Sequence, residues 1–259
     1  MSKTQKKVAN IILQNGLNYY IGFGGHASDY DKAFKCFKKA ALGGEKEAKF
    51  WLAKCYQFGN GVKRDYNMAN QLFKEVSDYK SIYRGSKSAC AVAQYYLSQN
   101  YRLNRGVEDK NNVANNTMKA NIYLAKSAKN GFPRAQYELG ARLLFGKDVP
   151  QDNNKAIRYL TLAANPMNQK INDESLLIPG YKDAQSLLGR CYKYGIGVQN
   201  IDICKAVVYF HSAAAQGEYT QNFDFNGNYD LDTFKEDYDF SSFVINKVVD
   251  ETSTPVRWY

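Results

Sequence analysis

The side chains able to do chemistry are few and scattered through this chain. Two histidines, His26 and His211, lie far apart, with no carboxylate or cysteine at a ligand spacing from either. Each reads as a surface or helix-packing residue rather than a general base. Five cysteines (Cys36, Cys55, Cys90, Cys191 and Cys204) include no C-x-x-C pair. That argues against a zinc site or redox pair and for reduced, buried thiols. Gly22-Phe23-Gly24-Gly25 resembles a phosphate loop, but it lacks the G-K-[ST] ending and follows no strand pattern. No H-E-x-x-H, G-x-S-x-G or paired-carboxylate signature is present. The expectation is a protein with no catalytic residue, no cofactor and no metal.

Charge bounds the partners more usefully. The chain has 259 residues, 44% hydrophobic and 23% charged, and a formal charge of +10. Glu218–Tyr259 holds nine acids and three bases, a net −6; residues 1–217 hold 32 bases and 16 acids, a net +16. A basic body favours a partner with an acidic or mixed-charge segment. Lys32, Lys35, Lys38 and Lys39 crowd one stretch, but no RNA- or DNA-recognition motif accompanies them, so they read as a solvated face. No run of 18 apolar residues exists, so no membrane-spanning helix is expected. Met1–Tyr20 has no signal-peptide apolar region. The expected compartment is the cytoplasm, with non-classical secretion as an effector kept as an alternative.

The elements that must hold these side chains are repeats. Ala48, Leu52, Ala53, Tyr56, Gly59, Gly61 and Val62 recur in register as Ala184, Leu188, Gly189, Tyr192, Gly195, Gly197 and Val198. A third copy runs from Ala135 through Leu139, Gly140, Leu143 and Gly146 to Asp152. A degraded copy is read at Ser88, Val92, Ala93 and Tyr96, with an insertion around Asn100–Arg105 before Gly106-Val107. The chain opens with a fifth, at Gly16, Tyr19, Gly22 and Gly24. After each copy, apolar and small residues recur at three- and four-residue steps, as in Lys32-Ala33, Phe37 and Ala40-Ala41. Each unit therefore predicts a helix A, a Gly-x-Gly turn and a helix B. The Leu and Tyr share one face of A, and an Asp precedes B to cap its free N–H groups.

These residues resemble the Sel-one-like repeat family, a relative of tetratricopeptide repeats. The resemblance implies an all-α, right-handed α/α solenoid of about five repeats, near 10–45, 46–81, 87–131, 134–180 and 183–217. It further implies a concave surface lined by the A helices. Counting from the first Ala of each A helix, offsets −1, +2, +6 and +9 are expected on that inner wall. The expected partner-binding residues are then Glu47, Phe50, Lys54, Gln57, Gln94, Arg134, Tyr137, Arg190 and Lys193.

The segment 218–259 loses the repeat but holds ten aromatics among its nine acids, too many for a solvated linker. It is expected to cap the last repeat, or to occupy the basic groove from within the chain. The functional expectation is a bacterial-type, non-enzymatic adaptor or scaffold that binds another protein. Alternatives are an immunity or effector protein that blocks or recruits an enzyme, a groove-sited enzyme, or a nucleic-acid binder.

Overall fold

The repeating pattern becomes a series of helix hairpins. The structure, a computed structural model, describes residues 3–22, 27–78, 86–165 and 181–216. The A helices are α1 (Lys3–Ile21), α3 (Lys46–Phe58), α5 (Ser86–Arg102), α7 (Pro133–Phe145) and α9 (Lys182–Tyr194). The B helices are α2 (Tyr30–Leu42), α4 (Tyr66–Ser77), α6 (Val113–Lys129), α8 (Asn153–Ala164) and α10 (Ile203–Ala214). Each helix packs on the one before it and the one after it, and α3 also touches α5. Among the described residues this is an all-helical α/α solenoid. The expected cap over 218–259 lies outside the described residues.

Local chemistry sets the hairpin. The A helices α3, α7 and α9 stop at Gly59, Gly146 and Gly195, which adopt φ of 80°, 67° and 74°. The B helices start at side-chain caps: Asp29, Asp65, Asn112, Asp152 and Asp202 each accept from an N–H two or three residues on. In four of the five the cap residue's own N–H reaches back to offset +8 of helix A, whereas that of Asn112 donates to Asp109 Oδ1 at 3.3 Å. Asp29 donates to the Tyr19 carbonyl at 2.8 Å, while Asp65, Asp152 and Asp202 donate to those of Tyr56, Leu143 and Tyr192 at 2.9 Å. That bond makes the register unambiguous.

Hydrogen bonds also hold the carboxyls of Asp29, Asp152 and Asp202 below the usual Asp range. The backbone N–H of Lys32 and of Lys205 is the larger cause at Asp29 and Asp202, and the Lys155 side chain at Asp152. A depressed carboxyl stabilises the fold fully above its ordinary value of 3.8 and loses that contribution as the pH falls further.

The third repeat corrects the sequence reading. Helix α5 runs unbroken through Asn100, so no insertion lies there. Asn104 and Gly106 adopt φ of 52° and 61°, the turn's two left-handed positions. The copy therefore begins at Ala93, with Leu97, Ser98, Tyr101 and Val107 following in register. The extra length lies after the turn: Gly106 to Ala120 spans 14 positions, where Gly61 to Ala69 spans 8. Asparagine tolerates the left-handed region well enough to replace the glycine.

The core sits between A and B layers. Ala33, Ala69, Ala120 and Ala156 occupy one B-helix position and are fully buried, as are Phe37, Phe73, Leu124 and Leu160 four residues on. The large B residue lies against the small residue of helix A. A Cβ added at Gly16, Gly140 or Gly189 would stand 2.7 to 2.8 Å from Phe37, Leu160 or Phe210.

Successive repeats approach through the second turn glycine. A Cβ at Gly61 would collide with the Tyr30 carbonyl, and one at Gly106 with that of Tyr66. At Gly59 the same addition meets only ordinary contacts at 3.5 Å. Both Gly59 and Gly61 have positive φ, so the pair separates backbone strain from crowding. Gly59→Ala should cost about 1 kcal/mol in urea melts. Gly61→Ala should cost roughly 3 kcal/mol or more, because the alanine also displaces the preceding repeat. Equal losses would mean that the close approach contributes nothing.

Candidate functional site

The A helices form the layer on which the partner-binding residues were expected. The structure places them in two groups. Offsets +2 and +9 point into the seam with the next repeat. Phe50 is 8% exposed and packs with Ala93, Leu97 and Tyr101 of the third repeat. Tyr137 is buried, its ring centroid 5.4 Å from that of Tyr181. Gln57 is buried and exchanges two hydrogen bonds with Asn100, at 2.8 and 3.0 Å. These three side chains are consumed by stacking and cannot meet a partner.

Gln94 is corrected for a different reason. In the register the structure gives, it is offset +1, and it is 4% exposed. Its amide donates to the Ser77 carbonyl at 3.4 Å. Gln136 and Gln185, also at +1, donate to the Ala128 and Ala164 carbonyls at 3.2 and 3.1 Å. All three acceptors sit eight residues beyond the buried Ala of the preceding B helix. The glutamine thus satisfies a helix-end carbonyl that has no intrahelical donor. The signal was visible in the sequence as the pairs Ala93-Gln94, Ala135-Gln136 and Ala184-Gln185.

Glu47 is exposed, and Lys54, Arg134, Arg190 and Lys193 are half-buried. Here cations rest on rings. Lys54 Nζ lies 4.9 Å from the Trp51 ring centroid and 5.9 Å from that of Tyr20. The Arg134 guanidinium lies 5.5 Å from the Tyr95 ring, and Lys193 Nζ lies 5.0 Å from that of Tyr194. Trp51 Nε1 donates to Glu47 Oε1 at 3.4 Å. In repeat 2 the accessible stripe is therefore Glu47, Trp51, Lys54 and Phe58, at offsets −1, +3, +6 and +10. Sequence reasoning missed Trp51 and Phe58 because a family pattern supplied the stripe.

Below this wall lies a buried polar line. Gln99 donates to Glu138 Oε2 at 2.8 Å, and Arg142 Nη2 to Glu138 Oε1 at 2.7 Å. Arg142 Nη1 donates to Asn121 Oδ1 at 2.7 Å and stands 3.7 Å from Asp148. Arg142 is 2% exposed. Its neighbour Arg102 has its pKa lowered, first by desolvation. Burial pushes the Cys55 and Cys191 thiols up to about 12, so neither is an available thiolate near neutral pH. A cleft of about 420 Å³ lies between α1 and α2, floored by Val8, Ala9, Ile12 and Leu42, with no acid, histidine or cysteine in its lining. Among the described residues, no three His, Cys, Asp or Glu side chains gather as metal ligands would.

The ionic pair is a stability element. Glu138→Ala should cost about 3–5 kcal/mol in chemical denaturation, since it strands a buried guanidinium. Adding Arg142→Met should bring the loss back to within about 2 kcal/mol of the parent. A double variant no better than the single one would show that the pair does not act as a unit.

The Sel1 repeat matches residues 14–45, 46–75, 91–132, 133–165 and 182–218. Its third match fits a copy with Ala93 at its start. A Sel1 repeat protein from Oxalobacter formigenes, known from its crystal structure, is 32% identical with a TM-score of 0.61, over 83% of this chain and 55% of that one. Chitin synthase regulatory factor 3 of Schizosaccharomyces pombe is 25% identical over 84% of this chain and 21% of its own length. The rat (Rattus norvegicus) DAP3-binding cell death enhancer 1 is 30% identical over 73% of this chain and 31% of its own. The chain thus spans less than a third of these curated relatives. With five matched repeats, a shared turn register and a similar solved solenoid, this chain belongs to the Sel1 repeat family.

Proposed function

We propose that this chain is a non-enzymatic adaptor that holds a segment of another protein against its wall of A helices. The observation that carries this reading is the set of cations laid on aromatic rings: Lys54 on Trp51 and Tyr20, and Arg134 on Tyr95. A flat ring beneath a cation offers apolar area and a charge together, at little entropy cost, and such residues suit protein recognition. The basic body, net +16 over residues 1–217, favours an acidic or mixed-charge segment. Sel1 repeat proteins generally mediate protein–protein interaction. Two relatives, named as a chitin synthase regulatory factor and a DAP3-binding cell death enhancer, are consistent with such a role. Among the described residues no helix is long and apolar enough to cross a membrane.

The wall makes a direct prediction. Lys54→Glu combined with Arg190→Glu should reduce affinity capture of partner proteins from native cells by about tenfold, while the thermal melt stays within a few degrees of the parent. Both positions are half-buried wall residues outside the seams. An unchanged capture profile would remove the wall as the binding surface.

A further inference from the structure

Helix α6 departs from the other B helices. It has 17 residues, where α2, α4, α8 and α10 have 12 or 13. Its first residue, Val113, stands seven positions before the buried Ala120, whereas the others start three before theirs. The helix therefore begins one turn early. The position four before the buried Ala is the cap Asp29, Asp65, Asp152 or Asp202 elsewhere, but here it is Asn116, inside the helix. Asn116 is buried and donates to Asn104 Oδ1 at 2.9 Å and to the Asp109 carbonyl at 2.7 Å.

That exchange leaves a lysine without its carboxylate. In repeats 1, 4 and 5 the lysine before the buried Ala pairs with the cap: Lys32 with Asp29 at 2.9 Å, Lys155 with Asp152 at 2.8 Å, and Lys205 with Asp202 at 3.1 Å. Lys119 holds that position in α6, and its Nζ lies 5.6 Å from the Tyr101 ring centroid instead. Lys74 of α4 lies 5.9 Å from the same ring. Tyr123 stacks on Tyr101, with centroids 5.7 Å apart and planes at 8°, and Lys126 Nζ lies 5.4 Å from its centre. Lys129 follows three residues on. Among the described residues none of these four lysines is in an ion pair. Helix α6 contains no acid, and Asp78, at the end of α4, is the carboxylate whose charge is felt at Tyr123.

Apolar residues lie among these cations. Met118 is 55% exposed and Ile122 46%. Met118, Lys119, Ile122, Lys126 and Lys129 follow one another at three- and four-residue steps, so they share one face over about 15 Å of helix. The positions of Met118 and Ile122 are Asn67 and Gln71 in α4 and Asn154 and Arg158 in α8, all exposed. The apolar strip is thus one helix wide. A bilayer contact needs a broader apolar face. A nucleic-acid backbone supplies negative charge but nothing to cover Met118 and Ile122. We infer that this face of α6 is a second docking surface, for an acidic segment of a partner protein that carries apolar side chains among its carboxylates. The surface belongs to the B-helix layer, apart from the wall of A helices, so a chain with both holds two proteins at once. It does not rest on the wall, and either can fail alone.

The test uses the full chain and a fluorescein-labelled synthetic peptide of about 15 residues in which leucines stand among glutamates, at about 0.15 M salt. Anisotropy should show saturable binding, weakened about tenfold by Lys119→Gln with Lys126→Gln. Met118→Ser with Ile122→Ser should weaken it about fivefold. Both variants should melt within a few degrees of the parent, because these side chains line the surface. Peptides with serine for every glutamate, or for every leucine, should each bind about tenfold more weakly than the parent peptide. No saturable binding, or parental affinity in both folded variants, would overturn the surface. So would vesicles containing phosphatidylserine, or a DNA duplex, that bound more tightly than the peptide and lost binding in the same variants. If Lys54→Glu with Arg190→Glu abolishes peptide binding and the α6 variants do not, the α6 surface fails and the wall stands. Loss in the α6 variants alone supports the α6 surface, whatever native capture shows for the wall.

Discussion

The stack draws its tightest constraint from one close approach: in repeats 2 and 3 the second turn glycine lies against the first carbonyl of the preceding B helix. Gly61 meets Tyr30 in this way and Gly106 meets Tyr66. At these two turns no side chain fits without moving a repeat, whereas Asp148 holds the equivalent position in repeat 4. The approach in turn brings three positions together at each seam. They are offset +9 of one A helix, the residue after the buried Ala of its B helix, and offset +7 of the next A helix.

The chemistry of those three positions changes from seam to seam. Between repeats 1 and 2 they are Tyr20, Phe34 and Cys55, which pack as an apolar group. Between repeats 2 and 3 they are Gln57, Asn70 and Asn100. There Asn100 donates to Gln57 and Asn70 at 2.8 and 2.7 Å, and Asn70 reaches the Gly106 carbonyl at 2.8 Å. Between repeats 3 and 4 Asn121 repeats that move on the Asp148 carbonyl at 2.7 Å, and Arg142 bonds to Asn121. Between repeats 4 and 5 they are Leu144, Ile157 and Cys191, apolar again. An amide seam closed on an apolar one would leave buried polar atoms unpaired, at about 1–3 kcal/mol each. The two kinds of seam therefore disfavour stacking an amide face on an apolar one, a service that buried polar groups can perform even when they add little net stability.

How much of this was legible follows from the same physics. The four repeats with glycine at the first turn position could be read directly, because the left-handed turn requires that residue type. The third could not: Asn104 holds the glycine position and Ser98 the small-residue position, and the copy was read five residues early. Its length was then assigned to Asn100–Arg105, which is the end of a continuous helix and the ordinary turn after it. The B-helix caps were visible as Asp residues, and the +1 glutamines were visible but had no meaning until their carbonyl acceptors were placed. Glu47, Lys54, Arg134, Arg190 and Lys193 remain reachable, whereas Phe50, Gln57, Gln94 and Tyr137 are structural. A stripe drawn one residue off on a helix turns by about 100°, enough to move from solvent into a seam.

That rotation also explains why stacking and recognition can coexist on one helix. The seams take offsets 0, +2, +7 and most of +9, and helix B takes +4 and +5. What remains is −1 and +10, with +6 in repeats 1, 2 and 5 and +3 in the earlier repeats. The stacking positions are narrow in chemistry: Ala48, Ala93, Ala135 and Ala184 at offset 0 are all fully buried. Offset +6 is broad, from half-buried Lys54 and Arg190 to buried Gln99 and Ala141. Offset +10 breaks this contrast, staying apolar in all five repeats although no seam fully covers it. Burial alone does not require an isoleucine 52% exposed at Ile21.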